Sequence, residues 1–159
     1  MKAYAEYQLW LKSIVDEEIV KELKDMAEDP EQIIDAFYKN LSFGTGGLRG
    51  IIGAGTNRMN IYTVRKASQG IANYIKKKYP EQERKIAISY DSRIKSDAFA
   101  RTAAEVYAAN GIQVEIYSQL MPTPCLSYAV RELECAAGVM ITASHNPCLL
   151  YTSDAADEE

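Results

Sequence analysis

Three short apolar runs between residues 85 and 142, separated by amphipathic stretches, constrain this chain more than any other feature. Lys85-Ile86-Ala87-Ile88-Ser89-Tyr90 is β-prone, Ile112 to Tyr117 is a second run, and Ala136 to Thr142 is nearly continuous apolar sequence. The last has the character of a strand buried on both faces. Between the first two runs, Phe99, Ala103, Val106 and Tyr107 form a helical stripe. Ser96 is placed to cap its start and Gly111 to stop it. Between the second and third runs, Thr123-Pro124 reads as an N-cap followed by proline at the first helical position, with the helix running to about Leu133. Strands alternating with helices in this way imply a three-layer α/β domain joined by right-handed crossovers.

The residues before this pattern read differently. Tyr7, Leu11, Ile14 and Val15 recur at helical spacing, and Ile19, Leu23, Met26 and Ala27 do so again. Asp29-Pro30-Glu31-Gln32 combines an N-cap, a proline at the first helical position and a capping-box partner, after which Ile33, Phe37 and Leu41 line one face. Residues 1–41 are therefore expected to form a helical extension that packs on something else. From Phe43 to Gly50 the character changes, with four glycines among the seven residues 44–50, a density that permits backbone angles and approaches closed to other residues. A helix from about Asn60 to Lys78 follows, with Ile61, Val64, Ile71 and Ile75 inward and lysines at its C-terminal turn, where the dipole favours them.

Composition narrows the function classes. With 47% apolar and 25% charged residues the chain is a globular protein rather than a disordered one. A net charge of −4 argues against a nucleic-acid partner. No stretch approaches a signal peptide or membrane span, so no membrane partner is expected. Cys125, Cys135 and Cys148 lack paired metal spacing and read as reduced thiols of a cytoplasmic protein, the first two as buried small hydrophobes.

The candidate chemistry sits where strands end. Thr142-Ala143-Ser144-His145-Asn146-Pro147 directly follows the last strand, and open α/β sheets bind ligands just beyond the carboxyl ends of their strands. Ser144 is a hydroxyl that phosphorylation can turn into a strongly charged acceptor, or else it and Asn146 make only turn hydrogen bonds. His145, the only histidine in the chain, stands beside that serine, where it either serves a proton transfer or is structural. The glycine loop is neither a Walker loop nor a dinucleotide fingerprint, because no Gly-Lys-Ser/Thr follows and Arg49 occupies the third glycine position. It offers backbone N–H groups, around Thr45 and Gly46, and the Arg49 guanidinium for a phosphate; a plain hairpin with an exposed arginine is the alternative. Tyr90-Asp91-Ser92-Arg93 ends a strand at the same edge, and its Asp–Arg pair either orients the serine loop or is a local ion pair of little energetic worth.

Phe43-Gly44-Thr45-Gly46-Gly47-Leu48-Arg49-Gly50, Tyr90-Asp91-Ser92-Arg93 and Thr142-Ala143-Ser144-His145-Asn146-Pro147 together resemble, in order and separation, the first domain of the α-D-phosphohexomutase (phosphoglucomutase/phosphomannomutase) family. The helical extension and residues 53–67 resemble the long-form phosphoglucomutases and their phosphopentomutase relatives. The resemblance covers about residues 1–147 and implies an α/β/α domain with a mixed sheet over 42–147. It implies that Ser144 carries the transferred phosphoryl group and holds Mg²⁺ through its phosphate. It also implies that His145 is a catalytic-loop histidine, that Arg49, Thr45 and Gly46 steady phosphate, and that Arg93 supports them. The implied reaction interconverts glucose 1-phosphate and glucose 6-phosphate through a sugar bisphosphate. A phosphopentomutase or phosphomannomutase, or a non-catalytic sugar-phosphate-binding domain, are the alternatives.

Residues 148–159 depart from the family, which continues with a Tyr-Asn-Gly-x-Lys element; no lysine follows Lys95 here. This tail reads as non-native, and the chain as a fragment missing the C-terminal domains that carry the metal and sugar-selecting loops. Such a fragment is expected to be inactive and poorly soluble.

Overall fold

In the computed structural model, which describes residues 2–44 and 47–142, the chain divides after Thr63 into two units. The first holds helices α1 (Lys2–Ser13), α2 (Glu17–Asp25) and α3 (Pro30–Phe37) and a hairpin of β1 (Phe43–Gly44) and β2 (Gly47–Leu48). Local chemistry sets the helix starts. Asp16 accepts a hydrogen bond from the Ile19 N–H, and Asp29 accepts from Glu31 and Gln32 with Pro30 next to it, as its sequence predicts. Gln32 completes that cap by donating from Nε2 to the Asp29 carboxylate at 2.8 Å.

The apolar faces of the three helices meet in one cluster that includes Tyr7, Ile19, Leu23, Ile33, Ala36 and Phe37. Phe37 takes edge-on contacts from Tyr7 and Trp10, and Trp10 makes another with Tyr62, arrangements that suit the ring quadrupoles. The Tyr7 hydroxyl donates to the Leu23 carbonyl at 2.8 Å, serving one of the acceptors that the last turn of a helix leaves without an intrahelical donor. Val15, expected inward, is 87% exposed. The helical period breaks there because α1 stops at Ser13 and Asp16 starts a new helix.

The turn at residues 53–55 is stitched to this core. Asn60 Nδ2 donates to the carbonyls of Gly53 and Gly55 at 2.8 and 2.9 Å, and Glu22 accepts from the Ala54 N–H at 2.6 Å. Asn60 also accepts from the N–H groups of Tyr62 and Thr63, which makes it the N-cap of helix α4 (Ile61–Lys78). Gly55 adopts φ +131°, and a side chain there would lie 2.5 Å from the Ala36 carbonyl oxygen.

The second unit contains most of α4, then β3 (Lys85–Tyr90), α5 (Ser96–Ala109), β4 (Gln113–Ile116), α6 (Thr123–Glu132) and β5 (Ala137–Ile141). The strands form a parallel sheet in the order β4-β3-β5, so parallel pairing here and antiparallel pairing in the hairpin both occur in the chain. Helix α5 packs on β3 and β4, and α6 on β3 and β5. Ala87 of β3 shares a cluster with Leu126 and Ala129 of α6. The alternate residues Ile86 and Ile88 therefore point to the other face, the one a right-handed crossover gives to α5. The result is the expected helix–sheet–helix layering. Gly138, in register with Ala87, lets α6 come close, since a Cβ there would stand 2.6 Å from Val130 Cγ2.

Several boundaries differ from the sequence reading. The strand buried on both faces is β3, with Ile86 to Ser89 at most 1% exposed. The apolar run of β5 is mostly half-buried, because β5 pairs with β3 on one side and has no further strand beside it among the described residues. Ser96 does not cap α5: it is the first helical residue after Lys95, and its hydroxyl is engaged by Asp91. Thr123 is likewise already inside α6, whose cap position is Pro122. Gly111 does end α5, at φ +73°. Cys125 and Cys135 are partly rather than fully buried; burial nonetheless pushes the Cys135 thiol above its usual range, against the opposing pull of Lys85.

Candidate active site at the strand ends

The parallel register sets which residues meet at the carboxyl edge of the sheet. Tyr90 pairs with Ile141, so Asp91 and Thr142 emerge side by side, and the Asp91 N–H donates to the Ile141 carbonyl at 3.2 Å. The segment after β4 joins the same edge. Ser89 donates its hydroxyl to the Met121 carbonyl at 2.8 Å, and the Met121 N–H returns a bond to the Tyr90 carbonyl at 3.2 Å.

Asp91 is the hub of this edge. Its Oδ1 accepts from the Arg93 N–H at 3.0 Å and from the Ser96 hydroxyl at 2.9 Å. Its Oδ2 accepts from the Thr142 hydroxyl at 2.5 Å. The first bond is an aspartate turn closing on its own backbone two residues on; the third crosses from β3 to β5. Burial alone would raise the Asp91 pKa. The hydrogen bonds from Thr142, Arg93 and Ser96, together with the Arg93 charge, outweigh burial and hold the carboxyl below its usual range. The group is therefore ionised, and able only to accept, at neutral pH.

The Arg93 guanidinium takes little part in that anchoring. Its Nε lies 3.9 Å from Asp91 Oδ2 and its side chain is 49% exposed, so it is a loose partner with donors left for an anion. Arg49, in the first unit, follows β2 and is exposed. Gly50 packs beside Leu41 there, a Cβ falling 2.9 Å from the leucine side chain. Ser144, His145, Thr45 and Gly46 lie outside the described residues. Thr142 and Ser96 as partners of Asp91 were not foreseen from sequence. The available signal was the aspartate turn at Asp91-Ser92-Arg93; the strand pairing that selects Thr142 was not readable.

Among the described residues no group of three histidine, cysteine, aspartate or glutamate side chains could hold a metal ion. No helix among them is long and apolar enough to cross a membrane.

Residues 40–149 match the family described as phosphoglucomutase/phosphomannomutase, alpha/beta/alpha domain I. The chain is 42% identical over 139 residues to a phosphoglucomutase of Staphylococcus saprophyticus, covering 87% of this chain and 24% of that protein. It is 42% identical over 141 residues to a probable phosphoribomutase of Schizosaccharomyces pombe, again covering 87% and 24%. It is also 38% identical over 151 residues to a human phosphopentomutase, covering 90% and 24%. The chain thus spans about a quarter of the length of these curated relatives. No solved structure matches it.

Proposed function

This chain belongs to the phosphoglucomutase/phosphomannomutase family, and from that premise we propose that it supplies the phosphoryl-carrying domain of a sugar-phosphate mutase. The observation that carries the reading is the Asp91–Thr142 hydrogen bond. It anchors the end of β5 two residues ahead of Ser144, at the sheet edge where α/β folds place their ligands.

In the proposed reaction Ser144, phosphorylated, gives its phosphoryl group to a hydroxyl of glucose 1-phosphate. The bond from phosphorus to the serine oxygen breaks, a bond to the sugar oxygen forms, and the sugar hydroxyl proton leaves to a base. The sugar bisphosphate then reorients and returns its other phosphoryl group to Ser144, yielding glucose 6-phosphate. His145 stands next to the reacting oxygen in sequence and is assigned to the proton. Arg49, with the backbone of Thr45 and Gly46, and Arg93 are assigned to phosphate, where charge neutralisation and positioning do most of the catalytic work. When bound, Mg²⁺ would neutralise phosphate charge through an oxygen on Ser144. The described residues supply no carboxylate cluster for it, and no step here depends on it. Whole-protein activity belongs to a longer chain, the isolated segment being inactive, and the thiols suit the cytoplasm.

A pentose phosphate is the second reading, because relatives of comparable identity are named phosphopentomutase. Turnover by a full-length protein carrying this segment decides it. Glucose 1-phosphate consumed faster than ribose 1-phosphate supports the glucose reading, and the reverse order replaces it with the pentose one. If neither is turned over while the sugar phosphates still bind, the domain is a non-catalytic binding module.

A further inference from the structure

We infer that Asp91 is a positioning residue for the phosphoryl-carrying serine, acting through the hydroxyl of Thr142. The inference rests on the proposed function and adds to it a residue that acts through another side chain.

Three features of the edge support it. First, the two oxygens of one carboxylate are divided between two elements. Oδ1 is held by the Arg93 N–H, in the turn before α5, and by the hydroxyl of Ser96, the first residue of α5, while Oδ2 receives Thr142 at the end of β5. The carboxylate is thus fixed from one side and fixes the other. Second, among the described residues the hydrogen bond from the Asp91 N–H to the Ile141 carbonyl lies at the C-terminal end of β5. One residue further on, the Thr142 hydroxyl adds a side-chain tie to the same aspartate. Third, the ion pair is not the anchor. Arg93 stands 3.9 Å away and half exposed, and such pairs contribute little.

The geometry also says which atoms matter. All three donors need an acceptor, and the carboxylate, held ionised, supplies it. Thr142 needs only its hydroxyl, so serine can replace it and valine, of the same shape, cannot. Catalysis by positioning is sensitive to small displacements: about 1 Å costs on the order of 100-fold in rate.

The test uses a full-length mutase carrying this segment. T142V and D91A are expected to lower kcat by roughly 10- to 100-fold with KM little changed. Because both cut the same bond, the double variant should be no slower than the slower single. T142S should recover most of the loss. If D91A does not fold, the T142V and T142S pair alone decides. T142V within twofold of the unsubstituted enzyme, or T142S as slow as T142V, overturns the inference and leaves the mutase reading intact. An unsubstituted enzyme that neither turns over sugar phosphates nor takes phosphate on Ser144 overturns the mutase reading, and this inference falls with it.

Discussion

Replacing Gly55 with alanine puts a methyl group where the backbone of α3 already stands. The new Cβ would lie 2.5 Å from the Ala36 carbonyl oxygen and 2.9 Å from the Ala36 Cβ. Neither atom belongs to a flexible side chain, and Ala36 is 1% exposed within the first unit's cluster. The backbone adds its own cost, since φ +131° is a conformation that residues with a side chain rarely adopt. Strain of this kind costs about 1 to 3 kcal/mol, and overpacking a fitted core costs about as much again. Relief by moving the turn is resisted by Asn60, which bonds the Gly53 and Gly55 carbonyls, and by Glu22, which holds Ala54. We therefore expect G55A to lower the stability of this unit by about 2 to 6 kcal/mol, a large share of what a domain possesses. Trp10 is the only tryptophan in the chain and is packed on Phe37 and Tyr62, so urea unfolding followed by its fluorescence reads this unit specifically. A change under about 0.5 kcal/mol, the size expected of a neutral surface substitution, would refute the argument.

Other substitutions probe separate links. Y7F removes the donor to the buried Leu23 carbonyl and should cost about 1 to 3 kcal/mol, again by Trp10 fluorescence. G70A, exposed in mid-α4 with nothing within 4 Å of the new Cβ, should stabilise the second unit by about 0.5 to 1 kcal/mol in circular-dichroism melts. Asp91 gives a pH dependence of definite sign. Its folded pKa is depressed, so its contribution is fully present above the unfolded value of about 3.9. It is lost as pH falls through the folded value. D91N should accordingly be less stable than the unsubstituted chain at pH 7, and the gap should close below about pH 4; a gap that is constant with pH would contradict the shift.

What was legible in the sequence is what is decided locally. Asp29, Pro30 and Gln32 cap α3 through neighbours within three residues, and Gly111 ends α5 through its own backbone freedom. The three apolar runs do mark β3, β4 and β5, although fully buried strand residues occur only in β3. The misreadings arise where a side chain has a distant partner. Ser96 has a capping residue's chemistry but is drawn to Asp91. The both-face burial expected for β5 belongs to β3, because strand order and not apolar content sets which strand is central. The Asp91–Thr142 bond, 51 residues apart in sequence, depends on β5 pairing with β3 rather than with β4. Residue types could place both groups near a strand end; only the register joins them.

The central claim, that Ser144 carries the phosphoryl group, is tested most directly by phosphopeptide mass spectrometry on a full-length protein carrying this segment, after incubation with a hexose bisphosphate. The account predicts phosphate on Ser144, its transfer to added glucose 1-phosphate, and loss of turnover in Ser144→Ala. Full turnover by Ser144→Ala, with no phosphate found on Ser144 in the unsubstituted protein, would contradict it.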